Sequence, residues 1–161
     1  MRFDEFDFSD ELLDALDAMH FEECTPIQEQ SMGLILDGYD LIACAQTGTG
    51  KTAAYLLPVI DVLADTPRND HAVRCIVMVP THELALQIDR QMEGFSYYLP
   101  VSSLAIHGGN DGKNFARQQH ALRSGADLVI ATPGRLLAHM KMGYVDLSKV
   151  EVFILDEADR M

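Results

Sequence analysis

Apolar residues recur at spacings of three and four over residues 9–20, where Leu12, Leu13, Leu16 and Met19 form one stripe and acids fill most of the remaining positions. That period predicts an amphipathic helix. A second helix is predicted to begin after Thr25. Thr25 can serve as N-cap, Pro26 takes the first helical position, and Gln28 stands three residues after the cap to complete a capping box. Asp37-Gly38 should end it. Beyond this point the pattern changes to short, β-branched apolar runs at 41–44, 75–79, 101–106, 128–131 and 150–155, separated by helix-like stretches at 51–64, 83–95, 114–123 and 133–140. Runs that are apolar at nearly every position suit strands covered on both faces of a parallel sheet. The alternation therefore predicts an α/β fold, a parallel sheet flanked by helices on both faces. The stretch 51–64 is apolar around most of its circumference and should be deeply buried, with a kink at Pro58. Residues 65–71 form the one polar linker.

Composition adjusts this picture in four ways. The chain has 161 residues and is 48% hydrophobic, enough for one core of ordinary size. No apolar stretch approaches the roughly 20 residues of a membrane span, and the acidic start lacks the apolar centre of a signal peptide. Cys24, Cys44 and Cys75 lie far apart and are odd in number, which fits neither zinc spacing nor a disulfide framework. A reducing, cytoplasmic setting is expected, with Cys44 and Cys75 as small buried hydrophobes inside their apolar runs. The formal net charge is −13, yet residues 1–23 carry −8 of it. Any surface that binds nucleic-acid phosphates must therefore be local.

The candidate chemistry lies in loops after strands. Ala45, Gln46, Thr47, Gly48, Thr49, Gly50, Lys51 and Thr52 follow an apolar run and open a helix. This is the setting of a phosphate-binding loop: glycines let backbone N–H groups close around phosphate oxygens at a helix N-terminus. Lys51 would reach the β and γ phosphates, and the Thr52 hydroxyl would ligate Mg2+. The first glycine of the general pattern is alanine here. The run 150–155 ends in Asp156 and Glu157. In a phosphate-loop enzyme the first acid holds magnesium, partly through water, and the second can orient or deprotonate the attacking water. Lys51, Asp156 and Glu157 are thus the candidate catalytic residues.

Six elements in order resemble the DEAD-box RNA helicase family over essentially the whole chain: a glutamine motif around residues 21–28, the phosphate loop, Pro80-Thr-His-Glu-Leu-Ala85, Gly108-Gly109, Thr132-Pro-Gly-Arg135, and Asp156-Glu-Ala-Asp159. The resemblance implies a RecA-like phosphate-loop domain that takes ATP and Mg2+. Gln28 would read the adenine edge, because its amide both donates and accepts. Phe21 would stack on the base, and Phe3 looks like the upstream aromatic of the same motif. Thr81, Gly109, Thr132, Gly134 and Arg135 would contact the RNA backbone without reading sequence.

By the same resemblance, residues 1–36 form the glutamine-motif segment and 37–161 a first RecA-like domain cut short after the acidic tetrapeptide, with the second RecA-like domain absent. The parent is expected to couple RNA-stimulated ATP hydrolysis to local unwinding of short duplexes, while this chain alone should bind nucleotide and not unwind. The alternatives are an ATP-gated RNA clamp with little turnover, which would not need Glu157, and an unrelated phosphate-loop ATPase or a DNA helicase, against which Gln28 argues. Three positions depart from the family pattern. His82 replaces the usual arginine, His20 the usual glycine and Cys24 a common proline. A neutral imidazole at residue 82 lacks a guanidinium fork, so one RNA contact should be weaker or pH-dependent.

Overall fold

Four of the five predicted strands pair into a single parallel sheet in the computed structural model, which describes residues 1–67, 70, 72–109 and 112–161. They are β1 (Cys75–Met78), β2 (Ser103–Ile106), β3 (Leu128–Ala131) and β4 (Val152–Leu155), in the spatial order β2-β3-β1-β4. The register sets Cys75 opposite both Leu128 and Val152, and Ser103 opposite Leu128. The inner strands explain their own composition: every residue of β3 and the first three of β1 are buried, so neither face tolerates a polar side chain. At the outer strand β4 burial alternates, and Phe153 and Leu155 are exposed.

The described chain falls into two compact units, Met1–Pro67 with Met92–Pro100, and Arg68–Gln91 with Val101–Met161. The second holds the sheet and the helices α5 (Gly112–Ser124) and α6 (Pro133–Lys141), which follow β2 and β3. One core there gathers Val73, Ile76, Ile106, Val129, Leu122 and Leu136. Two polar ties hold the strand ends in register. Arg74, at the start of β1, pairs with Glu151 at 3.4 Å. Ser102 and Asp127 exchange hydrogen bonds, with Ser102 N–H donating to the carboxylate and Asp127 N–H donating to the hydroxyl, each at 3.0 Å.

In the first unit lie α1 (Asp10–Ala18), α2 (Pro26–Leu36) and α3 (Lys51–Asp65). Of the stripe read from the sequence, Leu12 and Leu16 are buried together with Ala15, while Leu13 and Met19 are half-buried. Ser9 caps α1 by accepting from Leu12 N–H at 3.3 Å, and its own N–H donates to Asp61 of α3 at 3.1 Å, which ties the two helices. α2 packs along α3. As expected, α3 is buried around most of its circumference, and it runs through Pro58 as one continuous helix. Packing around most of the helix offsets the hydrogen bond that proline removes.

Two expectations are corrected. Residues 41–44 form no strand: no described strand pairs with them, and Ile42 is 95% exposed. An apolar run becomes a strand only beside a neighbour that satisfies its N–H and C=O groups. Cys44 is accordingly exposed, not buried. Cys75, inside β1, is buried, and desolvation pushes its thiol up to about 12. The polar linker expected at 65–71 includes Arg68, Asn69 and His71, which lie outside the described residues.

α1 ends with His20 at φ 61°, in the left-handed region, while Phe21 N–H closes back on Leu16 O at 2.9 Å. This is the position where the family pattern has glycine, and the backbone gives the reason. A β-carbon in this region costs about 1–2 kcal/mol, partly offset by the lower chain entropy of a non-glycine residue. His20→Gly should therefore stabilise the protein by about 0.5–1 kcal/mol. Urea denaturation would check this, and an unchanged or lower midpoint would show that the His20 ring supplies a compensating contact.

Candidate functional site

α2 begins where Pro26 fixes φ, and its capping box turns Gln28 inward to 3% exposure. Gln28 Oε1 accepts from Thr25 N–H at 2.9 Å. Its Nε2 donates to the carbonyl of Gly50 in the phosphate loop at 3.1 Å. Capping and adenine reading would both draw on this one amide. The count of sites shows that they need not compete: an amide oxygen has two lone pairs and its nitrogen two N–H bonds, so one acceptor and one donor site remain.

The candidate phosphate loop, residues 45–52, leads straight into α3, whose N-cap is Gly50. Gly48 and Gly50 have φ of 79° and 83°, conformations that only glycine takes without strain. At Gly50 space is the tighter constraint, since an added β-carbon would lie 2.5 Å from Gln28 Nε2. Thr49 hydroxyl donates to Gln46 O at 2.6 Å and closes the turn. Lys51 and Thr52 occupy the first turn of α3, both half-buried, where the helix N-terminus favours an anion.

Phe21 is half-buried between two aromatic neighbours. Phe3, itself buried, lies 5.9 Å away, and Phe95 makes a T-shaped contact at 5.5 Å. The ring is thus held by packing in the same unit that carries Gln28 and the phosphate loop.

In the second unit, every strand of the parallel sheet delivers candidate residues at its carboxyl end. Thr81 follows β1 and caps α4 (His82–Phe95), its hydroxyl accepting from Leu84 N–H at 3.3 Å. Gly108 and Gly109 follow β2. Thr132 follows β3, and its N–H donates to Ile106 O at 3.0 Å while its hydroxyl makes no cap bond to α6. Gly134 is exposed, with nothing within 4 Å of an added β-carbon. Arg135, half-buried in the first turn of α6, donates from Nη2 to Gly109 O at 2.8 Å and lies over the Phe115 ring at 5.3 Å. Of the predicted backbone contacts, Gly109 and Arg135 therefore touch directly. His82 pairs with Glu83 at 3.1 Å and faces the ring of His107 at 6.1 Å.

Asp156, at the end of β4, is buried to 8% exposure, and its N–H donates to Met78 O at 3.0 Å. Glu157 adopts φ 52°, the left-handed region, and its Oε2 accepts from Arg160 Nη1 at 2.8 Å. Thr52 offers a hydroxyl and Asp156 a carboxylate, the hard oxygen donors that magnesium takes. Magnesium keeps several waters and shares substrate phosphates, so it needs no cage of protein ligands. Among the described residues no three of His, Cys, Asp or Glu converge on one point. The phosphate loop belongs to the first unit and Asp156 and Glu157 to the second.

A buried polar cluster beneath the RNA candidates was not legible as such. His139 is inaccessible and stacks on Phe115 at 4.0 Å between ring centroids. Its Nδ1 bonds the Tyr144 hydroxyl, its Nε2 meets Gln118 Oε1 at 3.0 Å, and Gln118 Nε2 donates to His107 O at 3.1 Å. Burial, then the charge of Arg135, lowers the His139 pKa, so the ring is held neutral. The available signal was the place of His139 three residues after Leu136, on the buried face of α6.

The chain matches the family model described as DEAD/DEAH box helicase over residues 25–161. It is 41% identical to the ATP-dependent RNA helicase CshA of Listeria monocytogenes, over 99% of this chain and 30% of that protein. It is 43% identical to the ATP-dependent RNA helicase RhlB of Pseudomonas putida, over 99% of this chain and 41% of that protein. With the probable ATP-dependent RNA helicase DDX27 of Homo sapiens it shares 43% identity, over the whole chain and 21% of that protein. Its fold resembles the crystal structure of a DEAD box protein from the hyperthermophile Methanococcus jannaschii, with a TM-score of 0.89 and 36% identity, covering this chain fully and 42% of the other. The chain thus spans between about a fifth and two-fifths of the length of these relatives.

Proposed function

The chain belongs to the DEAD/DEAH box helicase family, and from that premise we propose that it is the ATP-binding part of an RNA helicase whose RNA-stimulated hydrolysis opens short duplexes. The observation that carries this reading is the placement of Thr81, Gly109, Thr132 and Asp156 after four parallel strands of one sheet. Ligands of open α/β folds bind at that carboxyl edge. Loops and helix N-termini there offer N–H groups and one guanidinium to a phosphodiester chain, without base readout.

In the proposed reaction Gln28 selects adenine with its remaining donor and acceptor, and Phe21 supports the base. Backbone N–H groups of residues 45–50 and the Lys51 ammonium take the phosphates. Thr52 and Asp156 would each serve as Mg2+ ligands, partly through water, and the ion when bound would neutralise charge on the phosphate oxygens. Glu157 orients the attacking water through the oxygen that Arg160 leaves free. Its left-handed backbone costs on the order of 1–3 kcal/mol, the kind of strain that persists where a side chain must be aimed. Three free thiols and the lack, among the described residues, of any helix long and apolar enough to cross a membrane are compatible with a cytoplasmic enzyme.

The test is base selectivity. Gln28→Ala should weaken ADP by roughly tenfold, the value of one or two buried hydrogen bonds, and leave the weak affinity for GDP little changed. Calorimetry with both nucleotides reads the difference. Equal losses would restrict Gln28 to holding Thr25 and Gly50.

A further inference from the structure

The cluster below the 107–109 loop has one consistent hydrogen-bond direction. Gln118 must turn Nε2 toward His107 O, because a carbonyl only accepts. Its Oε1 then faces His139 Nε2, which must carry the ring proton, and His139 Nδ1 accepts from the Tyr144 hydroxyl. A neutral imidazole satisfies all three bonds at once, and its burial with the nearby Arg135 charge keeps it neutral. Gln118 is itself buried to 6% exposure, so its amide has no water to turn toward. The loop is therefore held at two carbonyls from two helices, His107 O by Gln118 of α5 and Gly109 O by Arg135 of α6. Phe115 of α5 joins these helices by stacking on His139 and lying under Arg135. Above these anchors Gly108 and Gly109 are exposed.

We propose that Gln118, with its amide oriented by His139, is a positioning residue for RNA binding: it fixes the Gly108-Gly109 backbone in the conformation that receives a phosphodiester. The proposal rests on the reading of Gly109 and Arg135 as RNA-backbone contacts. Neither Gln118 nor His139 reaches the RNA. Losing the Gln118 bond frees one side of the loop, and Arg135 then holds Gly109 alone.

The test uses the 161-residue chain, with amide NMR during titration by a single-stranded oligouridylate at low salt, and amide hydrogen exchange without RNA. Gln118→Met keeps the length and apolar volume of the side chain but removes the donor. Exchange at Gly108 and Gly109 should rise by roughly two- to tenfold and the RNA Kd by a similar factor, the net value of one hydrogen bond. Gln118→Leu, which removes both polar atoms and so cannot donate to His107 O, should act in the same direction if the methionine variant folds poorly. Tyr144→Phe removes the other bond to His139. It should lower the melting temperature without changing exchange at Gly108 and Gly109 or the RNA Kd. Unchanged exchange and RNA Kd in the Gln118 variants would overturn the proposal alone. So would equal RNA losses in Gln118 and Tyr144 variants matched for stability, since that is the signature of a merely structural role. If oligouridylate perturbs none of the amides of Gly109, Thr132 and Gly134 in the unaltered chain, the RNA reading fails, and the proposal with it.

Discussion

Lys51→Ala should reduce ADP affinity by roughly 10- to 150-fold while leaving the fold intact. Hydrogen bonds to a charged group are worth about 1.5–3 kcal/mol, and the lost partner faces a phosphate that carries full negative charge. The fold should survive because Lys51 is the first residue of α3 and alanine is a strong helix former. The half-buried side chain carries none of the capping of α3, whose N-cap is Gly50. Isothermal calorimetry of ADP, with a thermal melt to confirm folding, separates the two effects. Unchanged ADP affinity in a folded variant would sink the assignment of residues 45–52 as a phosphate loop.

The backbone of that candidate loop, a glycine turn into a helix at Lys51, was legible in the chain, and the reason is physical. A strand-like run, two glycines within the eight residues 45–52, and the start of an apolar helix each constrain the backbone locally. Both glycines take positive φ. The inner strands were legible for a related reason: β1 and β3 are buried on both faces, and that burial leaves continuous apolar runs. Residues 41–44 show where this signal fails. Their side chains have the composition of a strand, but strand formation depends on a neighbour, and composition does not say whether one is there. Cys44 is exposed for the same reason.

The polar contacts were the least legible. The capping box of α2 could be read from Thr25, Pro26 and Gln28 because its partners are three residues apart. The second bond of Gln28, to Gly50, spans 22 residues and has no local signal. The same holds for His139, whose bond to Gln118 spans 21 residues. Only its period on α6 hinted at burial. His20 is the reverse case. Its departure from the family pattern was plain in the sequence, but its cost became interpretable only with a φ of 61°.

A polypeptide of residues 1–161 should bind ADP or ATP and show no RNA-stimulated phosphate release. In the proposed mechanism Lys51, Asp156 and Glu157 hold phosphates, magnesium and water from one side. The resemblance to the family assigns the arginines that face the transferring phosphoryl group to a second RecA-like domain, and such arginines are worth about 10³–10⁵ in rate. The relatives matched here are long enough to include one, since this chain spans 21–41% of them. RNA affinity should also be low and steeply salt-dependent. The loops of the second unit would supply part of the contact surface, and a net charge of −13 gives no long-range attraction to phosphates. The measurement is steady-state phosphate release with and without single-stranded RNA, on residues 1–161 and on a longer chain carrying a second helicase domain. Stimulation should belong to the longer chain alone. Equal stimulation of both would mean that residues 1–161 contain the full catalytic set, and the two-domain mechanism would be wrong.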